Sequence, residues 1–256
     1  MIETTESVAE VTASYNPATS ERIGSTPLNT PQDVKEAVAR AREAQGEWAT
    51  RPISERAYLL LKVRDYIVAR AQELAATISA DNGKTRVDAL STEVIPAALA
   101  VTYYTRKAQE FLKDRRLGIG SLLFANKRSR VVRVPWGVVG IISPWNYPFG
   151  IPFSEVIMAL LAGNAVILKV ATETQLVGKA LEACIGAAGL PSGLFAYVSL
   201  PGKQAGRALL EAGVNKLFFT GSVAVGQELD GRCVADADPP LPGAGWKRRH
   251  ARMRGR

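Results

Sequence analysis

The sequence predicts an α/β fold: a parallel sheet with flanking helices, preceded by a mainly helical amino-terminal segment. Three observations lead there. Short apolar runs recur at Gly137–Ile142, Ala165–Leu168, Leu194–Val198 and Lys216–Phe219. The nearly continuous run Gly137–Ile142 marks a strand buried on both faces. Helical patterns lie between them, and strand–helix alternation favours a parallel sheet covered on both sides. The chain has 256 residues, 47% hydrophobic and 22% charged, which is enough apolar material for a sizeable core.

The first helix is expected from Asn29 to Trp48. Thr30 suits the N-cap and Pro31 the first helical position, while Asp33 favours the positive end of the helix dipole. Val34, Ala37, Val38, Ala41 and Ala44 then recur at helical spacing. A second helix is expected from Ser54, with Leu59, Leu60, Val63, Ile67, Ala71, Leu74 and Ile78 on one side. It should stop at Asn82-Gly83, where glycine accepts a left-handed conformation. A third pattern covers roughly Val87 to Leu112, and Pro96 within it predicts a kink or a break.

After Leu117 the character changes. Arg130–Val134 reads as a strand. Helices are expected at Phe153–Ala162, Thr174–Ala188 and Gln204–Ala212, between the apolar strands. Residues 1–229 are thus expected to form one domain, helical to about residue 116. Residues 230–256 hold Pro239-Pro240, Pro242 and several glycines without apolar periodicity, and read as a basic, disordered tail.

Charge and rare residues exclude several functions. The net charge is +8, but residues 231–256 carry five of those charges, so the body is nearly balanced and no nucleic-acid partner is expected. Two cysteines, Cys184 and Cys233, make no disulfide framework. The single histidine, His250, provides neither a zinc site nor a Ser-His-Asp triad. The acidic opening and the lack of a long apolar run predict no targeting signal and no membrane span, hence a cytoplasmic protein.

Two phosphate signatures fail on inspection. Asn82-Gly83-Lys84-Thr85 resembles the end of a P-loop, but it follows a helix and position 78 is Ile. Gly118 and Gly120 begin a G-x-G-x-x-G, but position 123 is Leu. More specific features stand at the ends of predicted strands, where open parallel sheets place their ligands. Ser143-Pro144-Trp145-Asn146-Tyr147-Pro148-Phe149 is stiffened by two prolines and two rings, and Asn146 supplies an amide donor. A rigid turn alone would also account for this loop. Lys169 follows the second strand, where a solvated lysine is the ordinary alternative. Phe219-Thr220-Gly221-Ser222 turns a strand into a helix with small residues, so that a phosphate can reach backbone N–H groups.

With these motifs on view, the chain resembles the aldehyde dehydrogenase superfamily. The resemblance runs from Asn16-Pro17 to Gly226. Its most specific pieces are Pro144-Trp145-Asn146-Tyr147-Pro148, Ala162-Gly163-Asn164 through Lys169, Gly189-Leu190-Pro191-Ser192-Gly193 and Phe219-Thr220-Gly221-Ser222. The resemblance implies a Rossmann-like sheet holding NAD or NADP, and oxidation of a small-molecule aldehyde to a carboxylic acid through a cysteine thioester. It also implies a homo-oligomer in the family. By the same resemblance Asn146 contributes to an oxyanion hole, and Lys169 bonds the adenosine ribose. Ser143, Pro144 and Trp145 line the adenosine side, Phe219, Thr220, Gly221 and Ser222 lie by the pyrophosphate, and Gly202 and Gly206 pack near the adenine.

Two departures from the family pattern matter. The position three after the lysine, where many members have a glutamate that repels a 2′-phosphate, is Thr172, with Glu173 next; both NAD and NADP stay open. The family's nucleophilic cysteine and its E-L-G-G-K glutamate are not found, and the pattern gives way near Leu229. The expectation is a truncated chain, whose alternative description is a catalytically inactive dinucleotide-binding remnant.

Overall fold

The computed structural model describes residues 10–118 and 128–235, the last four of these in backbone only. Gly120, Leu123 and the tail beyond Ala235 therefore lie outside the described residues. The chain divides into two units, residues 1–221 and 222–256.

The first unit opens with an antiparallel ribbon of β1 (Val11–Tyr15) and β2 (Arg22–Pro27), where no strand was expected. Helix α1 (Pro31–Thr50) starts as its sequence predicts. Thr30 Oγ1 accepts the Asp33 N–H at 3.2 Å and the Asp33 carboxylate accepts the Thr30 N–H at 2.7 Å, a complete capping box. Val34, Ala37, Val38, Ala41 and Trp48 form its buried face.

The long second helix is two helices, α2 (Ile53–Ala69) and α3 (Ala71–Asn82), joined at Arg70 with φ −115° and ψ 20°. Apolar periodicity alone could not reveal this joint, because no Gly or Pro marks it. Helix α3 ends as expected on Gly83 at φ 84°; a side chain there would also meet the Pro17 ring at 2.8 Å.

At Pro96 the third helical stretch is not broken off, but its α-helical ladder is interrupted. Helix α4 (Arg86–Ala89) runs into a π-helical turn at Leu90–Val94 and then into α5 (Ile95–Leu112). Proline has no N–H to give the preceding turn, and the ladder absorbs this by widening. The Ile95 N–H reaches back to the Leu90 carbonyl.

Strands β3 (Arg115–Leu117) and β4 (Ser129–Val131) form a second exposed antiparallel ribbon. The expected strand at Arg130–Val134 is thus shorter, and its partner was not foreseen. The central sheet contains β5 (Val138–Ile142), β6 (Ala165–Lys169), β7 (Phe195–Tyr197) and β8 (Lys216–Phe219) in the order β7-β6-β5-β8, all parallel. Every residue of β5 and β6 is buried, as their apolar runs require. Helices α6 (Gly150–Leu161), α7 (Gln175–Gly186) and α8 (Gly202–Glu211) supply the crossovers. The chain order reverses between β5 and β8, and crevices at such reversals are where open α/β sheets bind ligands.

The amino-terminal edge of the sheet is held by polar pairs. Asn164 Oδ1 accepts the N–H groups of Trp136 and Gly137 at 2.7 and 3.1 Å, and its Nδ2 donates to the Ala159 carbonyl at 3.0 Å. Trp48 Nε1 donates to the Leu160 carbonyl at 2.8 Å. Arg56 Nη1 serves three carbonyls at the end of α1, those of Trp48, Ala49 and Arg51, so that the positive group sits at the negative helix end.

The second unit contains α9 (Val223–Ala235), which continues past the expected boundary at Leu229. Among the described residues, no helix is long and apolar enough to cross a membrane.

Candidate functional site

Parallel pairing brings the carboxyl ends of β5, β6 and β8 side by side. The Ser143 N–H donates to the Lys169 carbonyl at 3.0 Å, and the Thr220 N–H donates to the Ile142 carbonyl at 3.0 Å. Ser143, Lys169 and Thr220, singled out in the sequence from three separate strands, therefore converge on one edge.

The edge is poorly satisfied within the protein. Lys169 is 4% exposed, and its ammonium has no hydrogen bond or ion pair among the described residues. Burial pushes its pKa down, with Glu173 opposing the shift. Gly202, the first residue of α8, lies beside it: a Cβ added there would stand 3.8 Å from Lys169 Nζ. Ser143 is 3% exposed and its Oγ has no partner. Gly206 is buried within α8, and Thr172 is half-buried at the start of a short 3₁₀ turn, Thr172–Thr174.

The loop between β5 and α6 presents Trp145 and Asn146 to solvent while Pro144 is half-buried and Pro148 and Phe149 are buried. Asn146 Oδ1 accepts the Tyr147 N–H at 3.1 Å, which leaves its Nδ2 free to donate outward. Two remote segments grip this loop. Asn82 Nδ2 donates to the Trp145 carbonyl at 2.7 Å, and Lys84 Nζ stands 3.8 Å over the Tyr147 ring. Glu93, fully buried, receives Lys84 Nζ at 2.6 Å on one oxygen and the N–H groups of Phe149 and Gly150 at 2.8 and 3.1 Å on the other.

At the end of β8, the absence of a side chain on Gly221 matters. A Cβ there would stand 2.6 Å from the Phe219 ring, so glycine lets the ring lie against the turn. Ser222 is exposed and opens the second unit.

Sequence reading missed one group at this edge. Glu155 on α6 has an oxygen, Oε2, without a partner. Burial pushes its pKa up to about 7, against a hydrogen bond with Thr220 that pulls it down. A carboxylate inside the apolar helix Phe153–Leu161 is the signal the sequence offers for it. Cys184 is fully buried, and burial pushes its thiol up to about 12. A cleft lined by Arg40, Glu47, Arg51 and Pro191 lies elsewhere, at the opening of the loop that leads into β7. It sits at the amino-terminal edge, away from the converging strand ends.

Comparison with known proteins agrees with the motifs. The family model described as the aldehyde dehydrogenase family matches residues 3–238. A Mycolicibacterium smegmatis protein, named provisionally a succinate-semialdehyde dehydrogenase [NADP(+)], is 39% identical over 215 residues, 84% of this chain and 41% of that protein. A 4,4'-diapolycopene aldehyde oxidase of Methylomonas sp is 32% identical over 92% of this chain and 44% of its own length. Among solved structures, an aldehyde dehydrogenase from Brucella melitensis biovar abortus 2308 superposes with a TM-score of 0.83 at 30% identity, covering 88% of this chain and 46% of that one. The NAD+ complex of an aldehyde dehydrogenase from Bacillus cereus gives 0.82 at 29% identity, with 88% and 46% covered. The chain spans less than half the length of each of these relatives. With the family model spanning most of the sequence and the motifs converging on one sheet edge, this chain belongs to the aldehyde dehydrogenase family.

Proposed function

We propose that this chain binds NAD or NADP at the carboxyl edge of its sheet, as the cofactor-binding part of an enzyme that oxidises an aldehyde to a carboxylic acid. The observation that carries the reading is the Lys169 ammonium, buried beside Gly202 without a partner. A buried cation left alone is costly. Ribose hydroxyls would give it acceptors, and the bare backbone of Gly202 leaves room for them. The partnerless Ser143 Oγ next to it fits the same ligand. Trp145 and Pro144 offer an apolar wall, and Gly206 keeps α8 thin; Phe219, Thr220, Gly221 and Ser222 supply a turn of small residues for the pyrophosphate. Thr172 carries no charge to repel a 2′-phosphate, so either dinucleotide is accommodated. Relatives with both cofactors in their names are in keeping with this.

The nicotinamide, when bound, accepts hydride from the substrate. The chain's own contribution to that step is Asn146. Its free Nδ2 would donate to the aldehyde oxygen and stabilise the negative charge that develops there. Thioester formation needs a thiolate. Cys184, buried with its thiol pushed up to about 12, is unsuited to that role. The second reading, binding without turnover, is supported by this property of Cys184 together with the family's cysteine and E-L-G-G-K motifs not being found in the sequence.

Calorimetric titration of the full chain with NAD and NADP tests the proposal. Saturable binding of at least one, weakened about 10- to 100-fold by Lys169→Met, is the expected result. No heat with either dinucleotide overturns it. NAD(P)H formation with a panel of aldehydes then separates the two readings, since steady turnover would contradict binding alone.

A further inference from the structure

We propose that Glu93 and Lys84 are positioning residues that aim the Ser143–Phe149 loop, and with it Asn146 and Trp145, into the site. For its ligand arm this rests on the dinucleotide reading above.

Helix α6 has no side-chain cap of its own. Helix α6 follows Phe149, whose side chain accepts no hydrogen bond, and no acidic residue stands in its first turn. The free N–H groups at its start would be left inside the protein, since Phe149 is fully buried. Glu93 meets two of them, from Phe149 and Gly150, with a single oxygen at 2.8 and 3.1 Å. A carboxylate at a helix N-terminus is favoured by both hydrogen bonding and the dipole.

Glu93 can reach there because of the π turn Leu90–Val94. Widening of the ladder ahead of Pro96 changes the phase of the residues before it relative to α5. The backbone at Glu93 comes so close to Gly150 that an added Cβ on the glycine would stand 3.6 Å from Glu93 Cα. Lys84 then neutralises the other carboxylate oxygen at 2.6 Å and lies over the ring of Tyr147, the residue after Asn146. Asn82 adds a bond to the carbonyl of Trp145, the residue before it. Asn146 is thus flanked by two anchored neighbours and followed by an anchored helix start, while making only a local bond itself. The residue that would touch substrate is exposed, and its aim is set by charges from the preceding helical segment.

Hydrogen exchange of the full chain, read on peptides covering 143–150, tests this in Glu93→Gln and Lys84→Met. Expected is exchange at Phe149 and Gly150 at least about 10-fold faster in both variants, with β6 unchanged. Dinucleotide affinity should fall about 10-fold at a nearly constant thermal midpoint, and Lys84→Arg should restore both readings by keeping the cation. Should Glu93→Gln fail to fold, the partly exposed Lys84 pair of variants decides alone. Unchanged exchange in Lys84→Met, or a loosened loop with unaltered affinity, overturns the proposal. A wild-type chain that binds neither dinucleotide refutes the function proposed above, and the exchange experiment still decides whether these residues aim the loop.

Discussion

The two edges of the central sheet treat their buried polar groups in opposite ways. At the amino-terminal edge Asn164 has every strong partner it needs, and Trp48 and Arg56 close the remaining carbonyls, with only Arg56 Nε left over. At the carboxyl edge Ser143 Oγ and Glu155 Oε2 are buried without partners, and Lys169, 4% exposed, has only the charge of Glu173 acting on its ammonium. An unmet buried group costs stability, so proteins rarely keep one without a use for it. One edge is closed by its own polar pairs, and the other keeps buried polar atoms unpaired.

The largest effect should come from damaging the satisfied edge. Asn164→Ala removes partners from two N–H groups and one carbonyl at once. It should cost about 3 kcal/mol, read as a shift in the urea midpoint. A loss under ~1 kcal/mol would mean that the two edges do not differ as described.

The same experiment on the open edge should give a different answer. Lys169→Met removes a buried ammonium that has no partner, and should leave stability unchanged or raise it by about 1 kcal/mol while dinucleotide binding collapses. Destabilisation with intact binding would break the comparison.

Glu155 sharpens it through pH. Its pKa, raised to about 7, exceeds the ordinary value of 4.5, so the folded protein holds the proton more tightly than the unfolded chain. The stabilisation is complete below the ordinary value and is lost as pH rises through about 7. Relative to Glu155→Gln, the wild type should lose on the order of 2 kcal/mol between pH 4 and pH 8, a figure already reduced for partial exposure. A pH-independent difference between the two proteins would show that this carboxylate is solvated.

The smallest change lies far from either edge. Thr30→Ala opens one capping box at the surface and should cost about 1 kcal/mol without altering ligand binding.

Much of this architecture was legible because it is written locally. Strands β5, β6 and β8 are continuous apolar runs, and the caps of α1 and α3 use residues within a turn of the helix end. The strand-end motifs were legible for the same reason, so Ser143, Lys169 and Thr220 could be chosen before their convergence was known. What escaped was non-local or weakly patterned. Strands β1 and β2 are short and mixed in polarity and exist only by pairing with each other. Helix α6 begins at Gly150 and not at Phe153, because its cap comes from Glu93, which no neighbouring residue announces. Which buried groups lack partners is likewise a property of the assembled edge: the sequence shows Glu155 as a carboxylate in an apolar helix, but not that Thr220 lies beside it.

The widened turn at Leu90–Val94 also makes this region unusually sensitive to chain length. Deleting one residue there would let an ordinary α-helical ladder form and remove the bulge that brings Glu93 up to Gly150. The carboxylate of Glu93 would swing away from the helix start that it serves, although no residue near the ligand had been changed. A single codon, gained or lost, could therefore act in evolution as a control over the setting of the Ser143–Phe149 loop, more than fifty residues further along the chain.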